Sequence, residues 1–162
     1  MLRYLLLLAL ALPAAVRAQE SGLPVGTAAP AAAVRTLAGQ PTDLARYVGG
    51  GRPTVIEFWA TWCPNCKALE PQMQRLARTY GPRVRLVAVA VSVNQTPQRA
   101  KLYAAKYRLP MDVLWDGDGK ATDAYEVPAT SYVVIVDGAG KIAYTGQGAD
   151  QDLEAALKKL RP

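Results

Sequence analysis

The chain alternates apolar runs of strand length with stretches of helical rhythm. Residues 54–59, Thr54-Val55-Ile56-Glu57-Phe58-Trp59, are mostly β-branched or aromatic and predict a buried strand whose one charge is Glu57. The run at 84–93 predicts a second buried strand. Between them Leu69, Met73, Leu76 and Tyr80 recur at spacings of four, three and four, which places them on one face of a helix over 64–80. Pro71 lies inside that helix, where it removes a backbone hydrogen bond and should introduce a kink. A further helix is expected over about 97–107 and a short strand at 112–114. Asp137-Gly138-Ala139-Gly140, between apolar runs at 132–136 and 141–145, predicts a hairpin. The closing stretch 150–160 reads as an amphipathic helix with Leu153, Ala156, Leu157 and Leu160 inward and Asp150 as its N-cap. Two short elements at 34–37 and 44–48 precede the Gly49-Gly50-Gly51-Arg52-Pro53 breaker. This order predicts an α/β domain with a mixed sheet flanked by helices.

The first residues obey a different rule. A basic Arg3, an apolar run and the small-residue end Ala14-Ala15-Val16-Arg17-Ala18 predict a secretory signal peptide over 1–18. Its apolar stretch is shorter than the roughly 20 residues a spanning helix needs, although an uncleaved N-terminal anchor is the alternative. Residues 19–33, rich in Gly, Pro and Ala, should form a loosely ordered lead-in, and 34–162 the single domain that a chain of 162 residues can hold. Export would place the domain in an oxidising, periplasmic or other extracytoplasmic compartment where disulfides persist.

Composition narrows the chemistry. Hydrophobic residues at 51% and charged residues at 20% fit a packed globular domain rather than a disordered chain. The net charge of +6 is mild and unevenly spread: 67–108 carries nine basic residues and one acid, Glu70. Ordinary solvated helix faces and no nucleic-acid partner are expected of these charges. There is no histidine and there are two cysteines, which excludes His-based catalysis and zinc sites needing four Cys or His ligands.

Those two cysteines stand in Trp62-Cys63-Pro64-Asn65-Cys66, at the start of the predicted helix. The spacing lets both sulfurs bond across one turn. The unpaired amides and positive dipole end of a helix favour a thiolate at the first position. Cys63 is therefore the expected exposed nucleophile and Cys66 the buried resolving cysteine, cycling between dithiol and disulfide. A structural bridge and a Cu(I) site are the competing readings. A bridge closing so short a loop constrains the unfolded chain little, and copper would have two thiolates to bind it.

The run Phe58-Trp59-Ala60-Thr61-Trp62-Cys63-Pro64-Asn65-Cys66-Lys67, with Pro71 downstream, resembles thioredoxin-like proteins, and most of all the exported TlpA/ResA-type thiol:disulfide oxidoreductases. The lead-in Gly26…Pro30, Gly39, the segment 112–123 and Tyr125…Asp137-Gly138 extend the likeness. The resemblance implies a thioredoxin fold with an N-terminal extension and a central insertion. It also implies a protein-disulfide oxidoreductase, Cys63 as attacking and Cys66 as resolving cysteine, and Glu57 as the buried acid that exchanges a proton with Cys66. Trp62, Pro64, Thr130 and Ser131 would contact substrate. A peroxiredoxin-like design is disfavoured because Cys66 follows Cys63 too closely.

In such families a cis-proline faces the cysteines, and counting from Tyr125 and back from Asp137 puts Ser131 there, with Pro128 three residues too early. A cis bond before Ser would cost about 2.5–4 kcal/mol, so a trans Thr130–Ser131 bond is expected. Ser131 would then either aim a hydroxyl and an amide at the sulfurs, slowing release of mixed disulfides or admitting a metal, or sit in a rearranged loop that turns over equally well. The resulting expectation is an exported, monomeric enzyme without cofactor or bound metal. It acts on cysteine-containing clients as a reductant and is recharged by a membrane-bound redox partner; the alternative is a Cu(I)-binding or redox-sensing module.

Overall fold

The computed structural model describes residues 22–162. The expected leader at 1–18 lies outside the described residues. Seven strands form one sheet: β1 (Ala33–Thr36), β2 (Pro41–Asp43), β3 (Thr54–Trp59), β4 (Arg85–Val91), β5 (Asp112–Asp116), β6 (Tyr132–Val136) and β7 (Ile142–Gln147). Their spatial order is β2-β1-β5-β4-β3-β6-β7. The central β3, β4 and β5 run parallel, while β6, β7, β1 and β2 pair antiparallel to their neighbours. β3 is buried along its whole length, as its unbroken apolar character requires of a strand with neighbours on both sides and helices above and below.

The parallel strands are joined by α1 (Pro64–Tyr80) and α2 (Pro97–Tyr107). α1 continues through Pro71 and buries Cys66, Leu69, Met73, Leu76 and Tyr80, the predicted stripe. It packs with Val55 and Val133 of the sheet and with Leu153 and Leu157 of α4 (Leu153–Lys158). Gln72 of α1 fixes that contact from both ends: its Nε2 donates to the Gln151 carbonyl at 2.8 Å, and its Oε1 accepts from the Leu153 amide at 2.7 Å. On the other face Ile56 and Phe58 meet Val34, Tyr125 and α3 (Lys120–Ala124) through Ala121.

Several elements differ from expectation for local physical reasons. The element at 44–48 is a short 3-10 turn, Leu44–Tyr47, because Asp43 accepts from the Ala45 amide at 2.8 Å and so caps a turn. α4 begins after Asp152, not Asp150, since Asp152 Oδ1 accepts from the Ala155 amide at 2.9 Å. α3 had no periodic signal. It is held by Asp116, a buried carboxylate that accepts from Ala121 N at 3.1 Å, Thr122 N at 2.8 Å and Thr122 Oγ1 at 2.7 Å. The described part of the expected loose lead-in is tied to β7. Gly26 N donates to Ile142 O at 2.7 Å, Ile142 N to Thr27 O at 2.8 Å and Ala29 N to Gly140 O at 2.9 Å.

The hairpin forms as predicted, with Asp137 Oδ1 accepting from Ala139 N and Lys141 N, both at 2.9 Å. Gly138 lies so close to Gly51 that a Cβ on it would meet that residue's carbonyl carbon at 2.8 Å. The glycine-rich breaker thus docks on the hairpin.

Candidate active site

β3 ends at Trp59 and the chain turns through Ala60, Thr61 and Trp62 into the first turn of α1. Pro64 occupies the opening of the helix, where its missing N–H costs no internal hydrogen bond. Cys63 is the N-cap, and the Cys66 amide donates to its Sγ at 3.1 Å. The two sulfurs are joined as a disulfide with Cα atoms 5.4 Å apart. An amide already aimed at the Cys63 sulfur, at the positive end of a 17-residue helix, is the arrangement that lowers a thiol pKa once the bond is opened.

One expectation is corrected. Cys63 is not the exposed member of the pair: it is 2% exposed and Cys66 4%, both inside the apolar cluster that holds Trp59 and Ala60. In this disulfide form the first sulfur lies beside the second, and solvent meets Trp62, 39% exposed, instead. Trp62 is held by Nε1 donating to Val93 O at 2.8 Å, and Thr61 N donates to Gln95 Oε1 at 2.9 Å. The loop after β4 thereby braces the turn that carries the cysteines, a contact across some thirty residues that no local signal announces.

Glu57 lies within β3, opposite Ala88 of β4 and Val133 of β6. Alternation along the strand puts it on the same face as Val55 and Trp59, beneath α1. It is 2% exposed, and its Oε1 has no hydrogen-bond partner. Burial, and after it the nearby Glu70 charge, push its carboxyl from the ordinary 4.5 up to about 8. Trp59 Nε1, Thr61 Oγ1 and the Tyr125 hydroxyl are likewise buried without a hydrogen-bond partner. Sequence reasoning missed Glu70 of α1 and Tyr103 of α2: the Tyr103 hydroxyl donates to Glu70 Oε1 at 2.5 Å, and its ring packs on Trp59 at 5.4 Å between centroids.

The expected substrate residues divide. Trp62 and Thr130 line one cleft of about 470 Å³ together with Val91, Val93, Val127 and Pro128. Pro64 is exposed at the helix start and lies outside that lining. Ser131 is fully buried and does not offer its polar atoms to the sulfurs. Its amide donates to Phe58 O at 2.8 Å, its Oγ accepts from Gly148 N at 3.2 Å and its carbonyl accepts from Gln151 Nε2 at 3.1 Å. All described peptide bonds are trans, those before Pro128 and Ser131 included, and Ser131 sits at φ 62°. Among the described residues no three His, Cys, Asp or Glu side chains cluster, so a metal would find the two sulfurs without a third ligand of those types. No helix among the described residues is long and apolar enough to cross a membrane.

Comparison with known proteins places this geometry. The AhpC/TSA family pattern matches residues 25–145. The thioredoxin-like protein YneN of Bacillus subtilis is 28% identical over 142 residues, 86% of this chain and 82% of that protein. The thiol-disulfide oxidoreductase ResA of Geobacillus kaustophilus is 26% identical over 146 residues, 89% of this chain and 82% of its own length. Among solved structures, a secreted Mycobacterium tuberculosis disulfide oxidoreductase homologous to Escherichia coli DsbE superposes with a TM-score of 0.66 at 27% identity, covering 80% of this chain and 95% of that one. The thioredoxin-like fold expected from the Cys63–Cys66 motif is thus found.

Proposed function

The chain belongs to the AhpC/TSA family, and on that premise we propose that it is an exported thioredoxin-like thiol-disulfide oxidoreductase that reduces disulfides in client proteins. The observation that carries this reading is the Cys63–Cys66 disulfide closed over the N-terminus of α1, with Glu57 on the strand face beneath that helix. The names of the ResA and DsbE-like relatives support it.

The reaction runs as two exchanges. In the dithiol form the Cys63 thiolate attacks a client disulfide: a Cys63–client bond forms, the client S–S bond breaks, and one client thiolate leaves. Cys66 then gives its proton to ionised Glu57 and attacks Cys63 Sγ. The second client thiolate leaves, and the disulfide described above results. Two electrons pass to the client. Recharging reverses the order: a donor thiolate attacks Cys63, the Cys63–Cys66 bond breaks and the departing Cys66 sulfur takes back the proton from Glu57; the donor's second thiolate then attacks the Cys63–donor bond, releasing the Cys63 thiolate and leaving the donor as a disulfide. A carboxyl titrating near 8 suits both directions, because neither protonation state is far from reach at neutral pH.

The cleft lined by Trp62, Val93, Val127, Pro128 and Thr130 supplies an apolar seat for the residues flanking a client cysteine. A membrane-bound dithiol donor is the recharging partner expected for an exported reductant. Redox titration against glutathione tests the direction of flow. A potential near thioredoxin's roughly −270 mV supports a reductant, and one near −120 mV overturns that direction in favour of a disulfide donor.

A further inference from the structure

We infer that Glu70 is a positioning residue of this site: clamped by the Tyr103 hydroxyl that packs on Trp59, its carboxylate acts on Glu57 and sets the pH at which the buried proton is exchanged. The inference rests on the reading of Glu57 as proton carrier and adds the group that tunes it.

The geometry comes from three elements. Glu57 and Trp59 share the face of β3 that lies under α1. Tyr103 reaches over from α2, lays its ring on Trp59 at 5.4 Å and donates its hydroxyl to Glu70 Oε1 at 2.5 Å. Glu70 stands four residues after Cys66, hence one turn along the same helix. The tyrosine therefore ties the Glu70 carboxylate to a ring that packs on Trp59, two residues along β3 from Glu57. Burial, together with the bond to Glu70, raises the Tyr103 hydroxyl well above its usual range, so it remains a donor.

Among the described residues Glu70 forms no ion pair, the pair found there joining Glu154 to Lys158 in α4; Lys67, three residues before it on α1, is the basic residue nearest in sequence. Around Glu57, α1 contributes Glu70 and the Cys66 sulfur. α2 contributes Tyr103, with Tyr107 stacked behind it at 4.3 Å and Lys106 over the Tyr107 ring at 5.3 Å. β4 and β6 contribute Ala88 and Val133, which carry no charge. A half-exposed carboxylate fixed beside a buried one makes a second negative charge expensive, which reinforces the effect of burial.

The test is a 13C NMR titration of the Glu57 side-chain carboxyl in the oxidised protein, with Glu57→Gln assigning the signal. In Glu70→Gln the midpoint is expected to fall by about one pH unit at low salt. In Tyr103→Phe it should fall by less, because the charge stays but loses its clamp. A midpoint that stays put or rises in Glu70→Gln overturns the inference, and if that variant does not fold, an unmoved midpoint in Tyr103→Phe overturns it equally. The proton-carrier reading is tested apart, by the pH profile of the resolving step in wild type and Glu57→Gln. Identical profiles sink that role for Glu57, while the NMR midpoint still decides whether Glu70 acts on it.

Discussion

The backbone amide of Ser131 donates to the carbonyl of Phe58 at 2.8 Å, which fastens the start of β6 to the strand that carries Glu57. A proline at 131 could not make this bond, and its ring could not take the φ of 62° found there. Ser131→Pro should therefore lower stability by about 1–3 kcal/mol in urea unfolding. Ser131→Gly keeps the amide and accepts the backbone angle, and should cost less than about 1 kcal/mol. Equal losses in the two variants would show that the Phe58 bond is not what holds the loop.

Glu57 makes stability depend on pH in a known direction. A carboxyl raised from 4.5 to about 8 binds more protons in the folded than in the unfolded chain between those values. Its stabilising contribution is therefore complete below pH 4.5 and is lost as pH rises through 8. Glu57→Gln, which cannot ionise, should match the wild type near pH 4 and exceed it by roughly 5 kcal/mol near pH 9. Denaturant melts of the oxidised proteins at the two pH values measure the difference.

Cys66→Ser should trap mixed disulfides through Cys63 and lower insulin reduction by roughly hundredfold or more. Gel shifts under non-reducing conditions and turnover assays read the two effects. Failure to accumulate an adduct would remove Cys66 from the resolving role.

Trp62→Ala opens the rim of the apolar cleft and deletes the bond to Val93 O. KM for a peptide disulfide should rise about tenfold with kcat little changed, because the ring contacts ground state and transition state alike. Stability should change by less than about 1 kcal/mol for a side chain this exposed.

Asp116→Ala removes three hydrogen bonds at the start of α3 and should cost about 2–4 kcal/mol. Thermal unfolding of the variant is the direct check.

The parts of the fold that could be read in advance are those whose physics is local. β3 and β6 are single apolar runs, α1 has a repeating stripe, and the hairpin has its turn chemistry in four consecutive residues. α3 escaped because five residues carry no period, and its capping carboxylate, Asp116, lies before the helix with a loop between them. The motif announced the disulfide and the strand acid, but not their setting. The helix start that would stabilise a thiolate at Cys63 points to an exposed nucleophile, yet in the disulfide form that residue is buried. Counting singles out Ser131, while its partners, Phe58, Gly148 and Gln151, depend on how three separate segments meet. Glu70 and Tyr103 are 33 positions apart and join only when α1 and α2 lie side by side.

The tether between residues 26–29 and the start of β7 has a bearing on self-association. One margin of the sheet is a strand of three residues, and the other has its first amides already engaged by the chain's own N-terminal stretch. What remains for a second copy to extend is the part of β7 beyond Ile142. Growth of the sheet from one molecule to the next would run along that strand rather than along the three-residue margin.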